Sequence, residues 1–508
     1  MKKKEREVVA AIDVGSNFLR MSIVEICSDG SNVVLEDVYQ PNNIGRDTFG
    51  NGRVSSEGIK RTCQILNGFS KLMKDYKVKV YKAIATSGLR EADNRDYVVE
   101  QIRLQSGINV EIINIVQERL YIFKALRNHS DLRGDTSLKD TMIVNITSGG
   151  VEVTIYDDFG LRFTEYFKLG PLRIREILGE LEDKTISFSR VMEEFIESKI
   201  YVLKSKVKDL KINKFIGLGG ELNTVLNIYS IHDRFLHKEK IDDLYKRLRD
   251  MSTDQIEEFY KLNRNTAELM LPSELIFKCF LNLTDADGIF APMITLRQGI
   301  IYDLADELYN IEGRESALND IISSVWYIAE KYGVEKEHAA YIEKISSILF
   351  EKTWKYHRLG NKEKLYLKVA SILHDTGNYV SFSEHGLHSY NIIRSQKIMS
   401  FSDRDLDIIA NVARYHTSKV PTYNDPNYLA LKHKEKIIVS KLSAILKIAE
   451  AMDSSHLQKI ASIDTHVSND ILYLKLYSMK DILLEKWEIM NNIEFFQEVM
   501  GIEIKLKG

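Results

Sequence analysis

An aspartate carried to the end of an apolar strand and followed by glycine, serine and asparagine is a combination that can hold phosphate. Val8-Val9-Ala10-Ala11-Ile12-Asp13-Val14-Gly15-Ser16-Asn17 supplies it near the start of this 508-residue chain. Gly15 permits close backbone approach, Ser16 and Asn17 add short donors, and Asp13 offers an anchor for a cation beside the phosphate. By itself the turn reads first as a plain tight hairpin, but it has a second copy. Met142-Ile143-Val144-Asn145-Ile146-Thr147-Ser148-Gly149-Gly150-Val151-Glu152-Val153 repeats strand, Gly/Ser turn and strand, and Phe215-Ile216-Gly217-Leu218-Gly219-Gly220-Glu221 runs a further strand into a third glycine loop. Turns facing one another make a cleft for a phosphate chain, with Gly15, Ser16, Asn17, Ser148, Gly149, Gly150, Gly219 and Gly220 as donors. Arg90, after the Thr86-Ser87 turn, adds a bidentate clamp. A second chemistry lies downstream. Ile372-Leu373-His374-Asp375-Thr376-Gly377 ends an apolar helix, so His374 and Asp375 share its last turn and can converge on one cation. His338, His388, His416 and Asp453 flank them, a mixed imidazole and carboxylate set that suits Mn²⁺, Fe²⁺ or Zn²⁺ better than Mg²⁺.

The elements that carry these residues change character along the chain. Residues 8–124 alternate short strands with amphipathic helices; Ile59, Cys63, Leu66, Phe69 and Leu72 mark one helical face between Ser55 and Lys74. The theme repeats beyond 124, with a further helix near Arg190–Lys208. From about 311 helical patterns follow one another. The tail alternates at Ile471–Leu476 and Ile502–Leu506 around a helix. The expected architecture is therefore two α/β lobes (1–124 and 125–310), an all-helical domain (311–460) and a small α+β cap (461–508). The length agrees, being too great for one core.

Seventy basic against 73 acidic residues give a formal net charge of −3, so nothing global attracts polyanions or membranes, and attraction for phosphate must be local. The run Lys204, Lys206, Lys208, Lys211 and Lys214 reads as a solvated helix face ahead of a path for an extended polyanion. Aromatic and basic residues do not interleave, which argues against nucleic acid. Cys27, Cys63 and Cys279 show neither metal-type nor redox-type spacing, which fits a reducing cytoplasm. Met1-Lys2-Lys3-Lys4 looks like the start of a leader, but the apolar run Val8–Ile12 is too short and is stopped by Asp13. No transmembrane stretch is evident.

Taken in order, these segments, with Ala83–Arg95 and Val110–Arg119 between the two hairpins, resemble the exopolyphosphatase and guanosine pentaphosphate phosphatase (Ppx/GppA) family, a branch of the actin-like phosphotransferase superfamily. The resemblance spans about residues 8 to 460. It implies two actin-like (ribonuclease H-like) lobes, a homodimer, and Mg²⁺-assisted release of terminal phosphate from inorganic polyphosphate or guanosine pentaphosphate. Within the family pattern Ile-Ser-Gly-x-Glu-Glu-Ala-Arg the second glutamate falls on Glu118, which the resemblance makes the general base. It also puts Arg90 on phosphate, and it matches Asp13 and Glu152 to acidic positions that hold or orient Mg²⁺ with its waters. The chain departs from the pattern as well. The family's Asp-Ile-Gly-Gly-Gly-Ser is Asn145-Ile146-Thr147-Ser148-Gly149-Gly150 here, Gln117 stands for the first glutamate, Leu120 for the arginine, and Glu221 stands where threonine is usual and would repel phosphate. Such changes leave two alternatives open, an altered substrate or a cleft that binds without turnover.

In the helical region the order His338, His374-Asp375, Asp453 resembles the HD phosphohydrolase domain. That implies a metal site on those four residues, with His388 and His416 able to complete a two-metal centre. Two further functions stay open on this ground: a metal-dependent HD-type phosphohydrolase acting on a nucleotide or phosphoester, and a non-catalytic sensor of polyphosphate or an alarmone.

Overall fold

The first strand, β1 (Arg6–Val14), is apolar on both faces: Val9 and Ala11 look one way, Ala10, Ile12 and Val14 the other. A strand of this kind must be covered twice. Helices Ser56–Asp75 and Arg95–Ser106 cover one face through Cys63, Leu66, Phe69, Val98 and Ile102, and helix Leu296–Tyr309 covers the other through Ile300, Ile301, Leu304 and Ala305. The structure, a computed structural model, describes residues 6–129, 138–158, 160–182, 184–185, 187–309, 314–396, 398, 401–417, 419–468 and 471–507. The lysine-rich start Met1–Lys4 lies outside them. The chain divides into two compact units, Met1–Asp320 and Ile321–Gly508.

In the first unit β1 pairs antiparallel with β2 (Phe18–Cys27), which pairs with β3 (Asn32–Pro41); on its other side β1 runs parallel to β4 (Val80–Ala85), and β4 to β5 (Val110–Ile112). The second sheet repeats the plan. Its strands are β6 (Thr141–Ile146), β7 (Val151–Asp157), β8 (Gly160–Phe167), β9 (Lys214–Gly219), β10 (Phe235–His237) and β11 (Gly288–Phe290). β6 pairs antiparallel with β7, β7 with β8, and β6 parallel with β9, giving the order β8-β7-β6-β9-β11-β10 against β3-β2-β1-β4-β5. The repetition brings the turns Gly15–Asn17 and Thr147–Gly150 into equivalent places. One expected boundary moves: helix Leu296–Tyr309, assigned from its position to the second lobe, packs on β1 and on helix Ile115–Asn128 of the first. Its apolar stripe is what the second face of β1 requires.

In the second unit helices Lys336–Lys352, Asn361–Leu373, His385–Ser395, Asp403–Arg414 and His433–Ala451 pack together. His433–Ala451 is central and therefore buried nearly all round, from Val439 through Ala449. The tail forms a three-stranded sheet, β12 (Ile460–Ser468), β13 (Ile471–Ser478) and β14 (Glu503–Lys507), in that order. It belongs to the same compact unit instead of standing apart, because helix Leu483–Met500 packs on His433–Ala451 and buries Ile489 and Phe496. No helix among the described residues is long and apolar enough to cross a membrane. Lys204, Lys206, Lys208, Lys211 and Lys214 are all exposed, as a solvated face would be.

Candidate active site

Residues from both sheets of the first unit line one cavity of about 340 Å³: Asp13 and the Gly15–Asn17 turn, Asn145 to Ser148, Gly217 to Glu221, and Glu118. Glu118 owes its position to a helix cap. Helix Ile115–Asn128 starts at Asn114, whose side chain accepts the Gln117 amide hydrogen at 2.8 Å while Gln117 Oε1 accepts that of Asn114 at 2.9 Å. This reciprocal box fixes the helix start and sets Glu118 in its first turn. It also accounts for Gln117, since an amide closes the box as a carboxylate would.

Two ion pairs, Arg90–Glu118 and Arg119–Glu152, involve Glu118 and its chain neighbour. Arg90 Nη1 donates to Glu118 Oε2 and to the Ile113 carbonyl, at 3.0 Å each. Arg119 Nε donates to Glu152 Oε1 at 2.9 Å. Arg90, expected on phosphate, thus holds Glu118, and Glu152, expected beside Mg²⁺, is neutralised by Arg119. Neither lines the cavity. Burial raises the pKa of Glu118; the Arg90 guanidinium opposes this, while Glu152 and Asp13 reinforce it. Burial likewise raises Glu152 against the pull of Arg119.

The expected donors divide in two. The amides of Gly15, Gly150 and Gly220 are already bonded, to the carbonyls of Phe18, Thr147 and Ile146. Among the described residues the amides of Ser16, Asn17, Ser148 and Gly149 have no such partner, and Ser16, Asn17 and Ser148 line the cavity. Ser16 Oγ lies 3.1 Å from Ser87 Oγ, and Gly149 packs against Ser87 as well. Gly219 serves shape: its φ of +68° is left-handed, and a Cβ there would come within 2.0 Å of the Ile146 carbonyl oxygen.

Asp13 Oδ1 is buried without a hydrogen-bond partner among the described residues. Burial raises its pKa, opposed by Arg20 and Arg297. Both arginines line the cavity, and the sequence reading missed both. Arg20 was within reach, because the hairpin register sets it directly across from Asp13. Arg297 comes from the returning helix and is held by Ser22 Oγ at 2.9 Å and by Asp37, so no local pattern announces it. Glu221 faces the same cavity; burial, only partly offset by Arg20, lifts its pKa to about 7. Among the described residues no group of three potential ligands lies here. Asp13, with its unpartnered buried oxygen, would fit a hard divalent cation that completes its shell with water and substrate phosphate.

Comparison with known proteins decides the family. The chain matches the Ppx/GppA phosphatase family over residues 8–308 and domain III of the Ppx/GppA phosphatases over residues 322–494. It belongs to the Ppx/GppA phosphatase family. Its relatives include the bifunctional 3-dehydroquinate synthase/phosphatase of Fusobacterium nucleatum, 28% identical over 239 residues that make up 45% of this chain and 35% of that protein. The chain thus matches only about a third of that relative's length. The guanosine-5'-triphosphate,3'-diphosphate pyrophosphatase of Pseudoalteromonas translucida is 22% identical over 82% of each chain. In fold the chain is similar to an exopolyphosphatase from Cytophaga hutchinsonii, with a TM-score of 0.52 and 18% identity, covering 60% of this chain and 98% of that one.

Domain III of this Ppx/GppA member carries the second group of chemistry-bearing residues. His338, His374, Asp375 and His416 come together there, as the sequence suggests, but two expected ligands do not join them as such. Asp453 lies behind His338, accepting from its Nδ1 at 2.8 Å and from Gln458 N and Nε2 at 2.7 and 2.8 Å. His388 lies outside the cluster. Closer to the cluster stand Glu450 and His385, each three residues earlier: Glu450 Oε2 is 3.2 Å from His374 Nε2, and His385 Nε2 is 2.9 Å from His416 Nε2. Burial lowers the pKa of His338, but the Asp453 and Glu450 carboxylates outweigh it and lift the imidazole to about 10.

Proposed function

We propose that this Ppx/GppA member releases the terminal phosphate of inorganic polyphosphate or guanosine pentaphosphate by attack of a water that Glu118 orients and deprotonates. The observation that supports this most is a buried carboxylate at the start of a capped helix, lining a cavity shared with turns from two repeated hairpins. Phosphoryl transfer to water asks for donors to the phosphate oxygens, positive charge, and a group that prepares the nucleophile. The open amides of Ser16, Asn17 and Ser148 are the donors. Arg20 and Arg297 bring fixed charge to a chain that is acidic overall, which makes the attraction local. Mg²⁺, when bound at Asp13, supplies further neutralisation of the phosphate oxygens. Glu118, raised by burial, has the proton affinity that a base needs, and Arg90 holds it in place and opposes part of that rise. Glu221, at about 7, repels an anion less near neutrality than an ordinary glutamate does.

The test is orthophosphate release by the full chain with Mg²⁺, from long-chain polyphosphate and, separately, from guanosine pentaphosphate. Release from at least one is expected; none from either overturns the reading. The pH profile gives a second check. Since Arg90 lowers the pKa of Glu118, Arg90→Gln raises it, and the acid limb of the rate profile moves to higher pH. A limb that stays in place would assign the titration to another group.

A further inference from the structure

The first unit has a second hollow, of about 440 Å³, outside the cleft. Ile228, Tyr229, Arg247, Phe259, Tyr260 and Lys261 line it, and none of the six lines the cleft cavity. Three helix ends bring them together. Leu222–Ile228 stops at Ile228 with Tyr229 as its cap, Lys238–Leu248 carries Arg247 in its last turn, and Thr253–Tyr260 ends in Phe259 and Tyr260 with Lys261 as its cap. The size is that of a small-molecule pocket, and the lining joins aromatic rings to cations.

The polar groups of this hollow are held in place without being used up. Asp243 accepts from Tyr229 Oη at 2.8 Å and lies 3.1 Å from Arg247 Nη2, so one carboxylate fixes a ring and a guanidinium together. Among the described residues the Nε and Nη1 of Arg247 stay uncommitted. Lys261 is exposed; its backbone amide donates to the Glu257 carbonyl, which fixes where the side chain starts, and its ammonium makes no ion pair among the described residues. Tyr260 Oη is buried without a hydrogen-bond partner among them, a cost that a ligand acceptor would remove. Burial raises the pKa of Tyr260 against the pull of Arg247, so the hydroxyl keeps its proton and can donate. Phe259 meets the Tyr260 ring edge to face with centroids 4.8 Å apart, yet it is 65% exposed, a large apolar ring left in water.

We propose that this hollow binds a nucleoside phosphate, with the phosphate on Arg247, Lys261 and the Tyr260 hydroxyl and the base stacked on Phe259. Open guanidinium and ammonium donors call for an anion with several acceptor oxygens. An exposed ring beside them calls for a planar partner, and every base has a π face to offer. Inorganic phosphate would leave the ring unused, and an apolar ligand would leave two cations and a buried hydroxyl unanswered. Asp243 is then a positioning residue, which holds Arg247 and Tyr229 without touching the ligand. No carboxylate is among the lining residues, so the site binds without preparing a water for attack. It is independent of the cleft chemistry.

Titration calorimetry on the full chain without divalent cation tests it, with AMP, GMP, adenosine and orthophosphate as separate probes. Wild type is expected to bind at least one of the two nucleotides more tightly than adenosine or orthophosphate. Phe259→Ala weakens the nucleotide about 5-fold or more, and Lys261→Gln weakens it about 10-fold. Arg297→Gln, which removes a cation from the cleft, leaves this binding in place. A wild-type chain that binds neither nucleotide overturns the proposal. Nucleotide binding that is lost in Arg297→Gln and survives both Phe259→Ala and Lys261→Gln overturns it too, because the ligand is then in the cleft. Orthophosphate bound as tightly as the nucleotides, with no effect of Phe259→Ala, reduces the hollow to an anion site and rejects the nucleoside. Both substituted side chains are exposed, so the fold does not depend on them.

Discussion

Glu118→Gln lowers phosphate release by about 10²- to 10⁴-fold, the range that a positioned base contributes, while polyphosphate still binds. The reason is local. Glutamine keeps the length and the acceptor oxygen that Arg90 Nη1 contacts at 3.0 Å, but it cannot take a proton. The phosphate-facing groups, the Ser16, Asn17 and Ser148 amides with Arg20 and Arg297, are untouched. Single-turnover release together with equilibrium binding separates the two effects. A variant that releases phosphate at the wild-type rate removes Glu118 from the chemistry; one that loses binding and release together makes it a structural residue. Glutamine also leaves Arg90 without its buried counter-ion, so the melting temperature is measured alongside.

Gly299→Leu is the second large effect, and it acts from a distance. Helix Leu296–Tyr309 crosses helix Ile115–Asn128 at Gly299, where a Cβ would come within 1.9 Å of the Tyr121 carbonyl oxygen. The obstacle is backbone, which no rotamer change clears, so the helices must separate. Overpacking of this kind costs about 3 kcal/mol or more, equivalent to a fall in melting temperature of roughly 6 °C or more for a unit of this size. The displaced helix is the one that carries Glu118 and Arg119. A shift of about 1 Å at a catalytic group costs on the order of 10²-fold in rate, so release at 25 °C falls well before the protein melts. Thermal unfolding and a release assay on the same sample check both halves. An unchanged melting temperature would mean that the two helices are less closely engaged than the contact at Gly299 requires.

Much of the cleft is legible because it is built from short-range rules. Period-two alternation, a small-residue turn and the recurrence of both announce the hairpins β1–β2 and β6–β7, and the third glycine loop follows β9 as the pattern requires. The reach of Asp13, Ser16, Asn17 and Ser148 into one cavity follows from that repeat. The helical region and its cluster of histidines are legible for the same reason, since a capped apolar helix carries His374-Asp375 at its end wherever the helix lies.

What the chain could not declare is which partner each charged or polar group chooses. Arg90 and Arg119 both stand near carboxylates in sequence order, yet only packing makes the pairs Arg90–Glu118 and Arg119–Glu152 and so withdraws Arg90 and Glu152 from the cavity. The amides of Gly15, Gly150 and Gly220 look like donors until the turns close and occupy them. Arg297 arrives on a helix that returns to the first sheet. In domain III packing sets Glu450 and His385 at the cluster in place of Asp453 and His388. The amino-acid sequence by itself determined the two hairpins, their glycine turns and the supply of ligands. Tertiary structure alone decided the pairings, because an ion pair or a freed amide depends on distances of a few ångström between segments far apart in the chain, and local patterns carry no record of those distances.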